Sequence, residues 1–311
     1  MHNPEDQTLD IPTPYGAHAA GGGASAFLRA LRPKQWIKNC VIFAALIFSR
    51  HLTDPHYYWR SLAAFVLFCL VSSAVYLLND IIDLENDRVH PTKRLRPLAA
   101  GEITVTAAMG AGLLLAVAAL GGSILLSKPF ALLVLTYLAS NILYSLWLKR
   151  VVIVDVMIIS SGFVIRALAG ALVIGVVISP YLILCTVLLS LFLGFTKRRQ
   201  ELAQLEGNAV AHREILREYS VAFLDQMIAI VTAATLVAYF LYTLAPETRA
   251  RVGPYLPLTI PFVLYGIFRY LYLVHQKNLG DNPTGALYAD RPLMINVILW
   301  VVASVVILYL G

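Results

Sequence analysis

Apolar stretches long enough to cross a bilayer follow one another along almost the whole chain, and this succession decides what the chain can fold into. They run from Tyr58 to Ile82, Val105 to Leu126, Phe130 to Leu148, Val151 to Val177, Tyr181 to Phe195, Val221 to Leu244, Tyr255 to Val274 and Pro292 to Leu310. About twenty apolar residues make one membrane-crossing helix. A ninth stretch, Lys34 to Ser49, has a shorter apolar core, but Lys34, Trp36 and Lys38 are interface anchors that let a tilted helix reach across. With 59% hydrophobic and 14% charged residues, the chain is far too apolar for an ordinary soluble domain. The expected fold is all-α, a polytopic membrane bundle of nine transmembrane helices with its termini on opposite sides.

The 24 Lys and Arg residues partition unevenly between alternate loops, with seventeen on one side of this topology and five on the other. The positive-inside rule places the crowded side in the cytoplasm. A net charge of +6 gathered on one membrane face suits anionic headgroups or phosphorylated ligands and makes nucleic acid a poor explanation. Residues 1–24 are polar and Gly-rich, without the apolar run of a secretory signal, so they are expected to be a disordered tail before a single domain over 25–311. Within this region Ala24 to Leu31 suits a short interfacial helix. Cys40, Cys69 and Cys185 lie in apolar stretches without metal-like spacing, so they read as small hydrophobes, with neither disulfide nor zinc indicated.

The chemistry concentrates where the second apolar stretch ends, at Asn79-Asp80-Ile-Ile-Asp83-Leu-Glu-Asn-Asp87. At 100° per residue Asp80, Asp83 and Asp87 fall within about 60° of one another on a helix, with Tyr76 and Asn79 beside them. Clustered anions repel unless a cation sits among them. Mg²⁺ is the cation expected, because it prefers oxygen ligands and is usually held by one or two carboxylates plus a substrate's phosphates. Arg88, Lys93, Arg94 and Arg96 follow immediately, so metal-holding acids and phosphate-gripping bases are interleaved. A second basic run, Lys197-Arg198-Arg199, ends the sixth apolar stretch and leads through a long polar loop to Tyr219 and Asp225. That loop reads as a lid as readily as a solvated helix. Further phosphate-ligand candidates are Lys34, Lys38 and Asn39 at the first segment, and Tyr144 and Lys149 after the fourth. Arg166 is an intramembrane cation expected to face a polar pocket. Arg32 and Arg150 read as snorkelling anchors, and Asp155 and Arg166, about 16 Å apart by helix rise, are not a direct pair. The stretch from Asn278 to Arg291 reads as capped turns. No His/Cys cluster, Walker loop or nucleophile elbow occurs.

The motif Asn79-Asp80-x-x-Asp83-x-x-x-Asp87, together with Tyr144 to Lys149, resembles the UbiA superfamily of intramembrane prenyltransferases from about Arg32 to the C-terminus. Leu31 to Asn39, Lys93-Arg94-Leu-Arg96-Pro97 and Tyr219 to Gln226 narrow the likeness to a phosphoribosyl-transferring branch. This resemblance implies a nine-helix fold in a bacterial plasma membrane with its active site facing the cytoplasm, and a role in forming cell-wall arabinan precursors. It also implies Mg²⁺-dependent transfer from 5-phosphoribosyl-1-diphosphate to a polyprenyl phosphate. Asp80, Asp83 and Asp87 would then be catalytic and metal-holding, with Asp225 as a further ligand. The superfamily's usual second Asp-x-x-x-Asp motif is missing after the sixth helix, where Asp225 stands alone. The readings left open are a prenyl diphosphate donor with an aromatic or polar acceptor, and a transporter or lipid-binding protein; no internal repeat favours the transporter. Homo-oligomerisation is also open.

Overall fold

The computed structural model describes residues 23–90, 92–177, 179–205, 214–277, 279–280 and 283–310. Residues 1–22 of the expected tail over 1–24 lie outside these residues, while Gly23 and Ala24 begin a helix. Residues 206–213 of the long loop read as a lid lie outside too, as do Asn278, Asp281 and Asn282. Thirteen α-helices are seen among the described residues: α1 (Gly23–Ala30), α2 (Phe43–Phe48), α3 (Pro55–Ile82), α4 (Leu84–Val89), α5 (Val105–Leu126), α6 (Lys128–Leu146), α7 (Val154–Ile174), α8 (Pro180–Leu205), α9 (Val221–Leu244), α10 (Pro246–Val252), α11 (Ile260–Lys277), α12 (Pro283–Ala289) and α13 (Arg291–Leu310). Eight of them, α3, α5 to α9, α11 (with the turn before it) and α13, are long and apolar enough to cross a membrane. Their starts carry ordinary signals. Asp54 caps α3 ahead of Pro55, Thr104 accepts from the Ala107 amide (3.2 Å), and Ser220 accepts from the Phe223 amide (3.1 Å).

The first segment departs from the expected helix. Pro33–Ile42 is a ten-residue 3₁₀ helix running into the six-residue α2. At about 2.0 Å per 3₁₀ residue and 1.5 Å per α residue the two together cover about 29 Å, whereas sixteen α-helical residues would cover about 24 Å. A bilayer core is about 30 Å thick. The 3₁₀ winding therefore lets a short apolar run cross, from Arg32 beside Asp80 to Arg50, whose Nε donates to the Leu308 carbonyl at the end of α13. Its three-residue period also sorts the side chains. Trp36, Asn39 and Ile42 share one row against the bundle, where Trp36 Nε1 donates to Ser73 Oγ (3.1 Å) and Ile42 is fully buried. Arg32, Gln35 and Lys38 share another row, and exposed Lys34 and Cys40 lie on the third.

Successive helices pack as neighbours, and α13 returns to α2. In their apolar windows α3 and α7 are 56% buried, against 11% for α5, so α3 and α7 form the interior and α5 faces lipid with Leu113, Leu114 and Leu125. One apolar core joins the first segment to α3, α6 and α7 around Phe68, Phe130 and Val134, and a second joins α8, α9, α11 and α13 around Phe192, Leu224 and Leu273. Close approach in the first core depends on Gly170, where a Cβ would lie 2.1 Å from the Ile42 carbonyl oxygen. At the end opposite the Asp motif, Arg60 donates to the Val173 and Leu126 carbonyls (2.7 and 3.0 Å), satisfying acceptors that helix ends leave open. α8 outruns its apolar stretch by ten residues because Thr196 to Leu205 is built mostly of good helix formers.

Candidate active site

α3 does not carry all three aspartates. It ends at Ile82, Asp83 occupies the break, and Asp87 lies on α4. The break leaves the acids at one end of the bundle, but each meets a protein cation. Asp80, 2% exposed, accepts through Oδ1 from Arg32 and from Arg96 Nη1 (3.2 Å for the latter). Asp87, also 2% exposed, accepts from the same Arg96 nitrogen, so one guanidinium bridges two carboxylates. Asp83 accepts from Lys149 Nζ at 2.7 Å. Asn79 accepts from Ser145 Oγ, which fastens the end of α6 to the motif.

Arg32, which the sequence presents as a snorkelling anchor, is therefore part of this cluster. Its left-handed backbone (φ 55°, ψ 58°) turns the chain out of α1, and its guanidinium lies 4.9 Å from the centre of the Tyr76 ring. Burial pushes its pKa below the usual arginine range, with Asp80 acting in the opposite direction. No sequence spacing links Arg32 to Asp80, since the contact joins separate segments.

Among the described residues no three His, Cys, Asp or Glu side chains converge as a ready cage for a metal. The donor chemistry nonetheless fits Mg²⁺, which needs only one or two carboxylates besides phosphate oxygens and water. Asp80 and Asp87 already face a common positive group, that of Arg96. Asp225 sits elsewhere in the ion-pair pattern, accepting from Arg199 Nε (2.6 Å) with His275 Nε2 at 3.3 Å.

Two of the expected phosphate ligands are engaged with protein groups. Arg198, 1% exposed, donates to Asp155 Oδ2 (2.6 Å), Glu201 and the Tyr144 hydroxyl (3.2 Å). Tyr219 donates its hydroxyl to Asp155 Oδ1 (2.8 Å) while accepting from the Ile153 amide (2.6 Å). Burial pushes its phenol up to about 12, so it remains a donor. Ile153 itself is a β-branched residue at φ 67°, rare without such support. Fully buried Asp155, which carried no role in the sequence reading beyond not pairing with Arg166, is thus the hub joining α7, α8, the end of α6 and the segment before α9.

The other candidates divide by exposure. Lys34, Arg88 and Arg94 are exposed, Arg88 pairing with Glu85 at 2.9 Å; Lys93 is half-buried. Lys197 lies 3.8 Å from Glu201. Arg166, 5% exposed, is held with Asn39 in the interior and is separate from Asp155, as expected. Asp290, in the stretch read as capped turns, accepts from the Leu293 amide (2.8 Å). The Arg269 guanidinium beside it holds its carboxyl below the usual range.

The UbiA prenyltransferase family matches residues 40–289. The decaprenyl-phosphate phosphoribosyltransferase of Mycobacterium tuberculosis is 33% identical over 94% of this chain and 96% of its own. The protein of that name in Corynebacterium glutamicum is 32% identical over 92% of this chain and 88% of its own. Among solved structures, a UbiA homolog from Archaeoglobus fulgidus bound to GPP and Mg²⁺ has the same fold, with a TM-score of 0.68 at 18% identity, covering 91% of this chain and 99% of that one. With the family matched across most of its length and these relatives aligned nearly end to end, the chain belongs to the UbiA prenyltransferase family.

Proposed function

We propose that this chain transfers the 5-phosphoribosyl group from 5-phosphoribosyl-1-diphosphate to a polyprenyl phosphate and releases diphosphate. The observation that carries this reading is the identity, spread over nearly the full length, to proteins named as decaprenyl-phosphate phosphoribosyltransferases. The site chemistry agrees with it. One acid cluster is surrounded by Arg32, Arg96 and Lys149, and the aspartate after α8 is a single Asp225 already paired with Arg199. Two phosphorylated substrates call for many cations and one place to hold a metal-bound diphosphate.

Asp80 and Asp87, with Asp83 beside them, would hold Mg²⁺, which when bound neutralises charge developing on a departing diphosphate. Arg96, Arg32 and Lys149 are placed to pass from carboxylate to phosphate oxygens as the donor arrives. A phosphate oxygen of the acceptor attacks the anomeric carbon, and the bond to diphosphate breaks, its electron pair leaving with the diphosphate. The acceptor is already ionised near neutrality, since the second pKa of a phosphate monoester is about 6, so no general base is required. Residues 25–311 act as one catalytic domain in a bacterial plasma membrane with the Asp motif facing the cytoplasm, where the soluble donor is found. The product would feed cell-wall arabinan synthesis.

The test is incubation of purified protein with labelled phosphoribosyl diphosphate, polyprenyl phosphate and Mg²⁺, followed by lipid extraction. Label in the lipid phase that an Asp80→Asn variant fails to produce supports the reading. Label from a prenyl diphosphate donor alone would replace it with prenyl transfer to another acceptor.

A further inference from the structure

Most of the buried or partly buried cations at this end of the bundle lie beside an acid. Arg198 has Asp155, Arg96 has Asp80 and Asp87, and Arg32 has Asp80. Arg166 breaks the pattern. Its side chain turns back along α7 and donates to the Gly162 carbonyl (2.8 Å), to Asn39 Oδ1 (2.7 Å) and to the Tyr137 hydroxyl (2.9 Å), all neutral. The Tyr137 and Phe163 rings flank the guanidinium at 4.7 and 5.6 Å. Gly162 leaves room for it, since a Cβ there would sit 3.3 Å from Nη1. A guanidinium carries five N–H groups, and these three bonds leave two unused.

Beside Asn39 stands Lys38, half-buried and, among the described residues, without hydrogen bond or ion pair. The charges acting on it are those of Lys197, Arg166 and Arg32, all positive. Arg32 and Lys197 have Asp80 and Glu201 beside them, but Lys38 and Arg166 have no carboxylate beside them among the described residues. Cations held away from water without an anion are costly, which leaves these two open for an anion from outside. The group is deep. Asn39 Nδ2 donates to Ser72 Oγ (3.3 Å) and Cys69 Sγ (3.2 Å), eight and eleven residues before Asp80 on α3, or about 12 to 16 Å down the helix.

The geometry points to a phosphate subsite formed by Lys38 and Arg166, with Asn39 orienting the Arg166 guanidinium, below the aspartate cluster and separate from it, that takes the phosphate monoester of the polyprenyl acceptor. The choice of acceptor over donor rests on the function proposed above and on depth. A phosphate tethered to a chain dissolved in the bilayer can reach this level, whereas a soluble diphosphate is gripped where the aspartates and Arg96 lie at the bundle's end. Displacement at the anomeric carbon requires nucleophile and leaving group on opposite sides. An acid and metal station above and a cationic station below provide that arrangement.

Binding without turnover tests the assignment. The full chain in detergent, without Mg²⁺ or donor, is titrated with a long-chain polyprenyl phosphate, with the matching polyprenol and with ribose 5-phosphate. Lys38→Gln is the main variant, because Lys38 makes no bond the fold needs; its melting temperature is expected to match the parent's. Polyprenyl phosphate affinity should fall about ten- to a hundredfold, the scale of one charge-assisted hydrogen bond. Polyprenol and ribose 5-phosphate binding should hold steady, and Lys38→Arg should restore the loss. Unchanged polyprenyl phosphate binding overturns the subsite, and a loss confined to ribose 5-phosphate reassigns it to the donor and overturns it equally. Lys38-dependent binding of polyprenyl phosphate by a chain that transfers no phosphoribosyl group would keep the subsite and reject the proposed reaction.

Discussion

Replacing Asp155 with leucine removes the hub on which the second basic run depends. The carboxylate is fully buried, and its two oxygens accept from Arg198 Nε at 2.6 Å and from the Tyr219 hydroxyl at 2.8 Å. In Asp155→Leu, Arg198 stays 1% exposed in the parent geometry with only Glu201 as its acid, and Glu201 is partly open to solvent. Breaking a buried pair from one side costs about 3–5 kcal/mol. The residual Glu201 contact places the expected loss near the lower end, at about 3 kcal/mol, and the lost Tyr219 acceptor adds on the order of 1 kcal/mol. That is a large part of the roughly 5–15 kcal/mol that separates folded from unfolded chains. Equilibrium unfolding in mixed micelles, followed by circular dichroism, measures it. Arg198→Leu alone should lose a comparable amount, while Asp155→Leu with Arg198→Leu should recover much of it, because an apolar pair leaves no buried charge behind. A loss below about 1 kcal/mol for Asp155→Leu, or a double variant as unstable as the two singles summed, would refute the view that this ion pair holds α7 to α8.

Asp80→Asn is expected to lower the transfer rate by about a hundredfold or more, the scale seen when a group stabilising developing charge is removed, and the lipid-extraction assay reads it directly. Arg96→Met takes away the guanidinium bridging Asp80 and Asp87, so Mn²⁺ should bind the donor-free protein about tenfold more tightly by electron paramagnetic resonance; weaker binding would count against those carboxylates as metal ligands. His90→Ala should leave turnover within about twofold, because the acceptor arrives ionised at a second pKa of about 6, and a loss matching that of Asp80→Asn would mean a base is needed after all. Gly170→Ala places a methyl group 2.1 Å from the Ile42 carbonyl oxygen and should cost about 3 kcal/mol in the same unfolding assay, the upper end for overpacking.

Hydropathy reports how long a segment stays out of water, so eight of the crossings can be read directly from residue order. The first cannot be read this way, because its length depends on the winding adopted. Its three-residue spacing, Trp36, Asn39 and Ile42 against Arg32, Gln35 and Lys38, is written in the sequence but resembles a short irregular helix until packing selects one row. The end of α8 is hidden for the opposite reason. Thr196 to Leu205 is polar, which looks like a loop, yet Arg198 and Gln200 are buried there against α7 and the segment before Pro283. Partners distant in sequence leave no local mark. Asp80 is 48 residues from Arg32, Asp155 is 43 from Arg198, and His275 is 50 from Asp225.

Counting Lys and Arg locates the crowded face but cannot separate cations that hold the fold from cations that await a ligand, since both types obey the same topological rule. What separates them is the distance to the nearest carboxylate. Arg198, beside Asp155, is consumed by the fold, and substituting it should register first as lost stability. Arg96, Arg32 and Lys149 are held by the aspartates and become available only when another anion or a metal ion competes for those pairs. Among the described residues Lys38 and Arg166 have no acid to leave, so they can take an anion without any such exchange. An acceptor bound there needs neither metal nor donor, whereas the donor must displace guanidinium and ammonium groups from Asp80, Asp83 and Asp87. Binding of the lipid phosphate should therefore be insensitive to Mg²⁺ while binding of the diphosphate should rise with it, and the two dependences separate the subsites without any substitution.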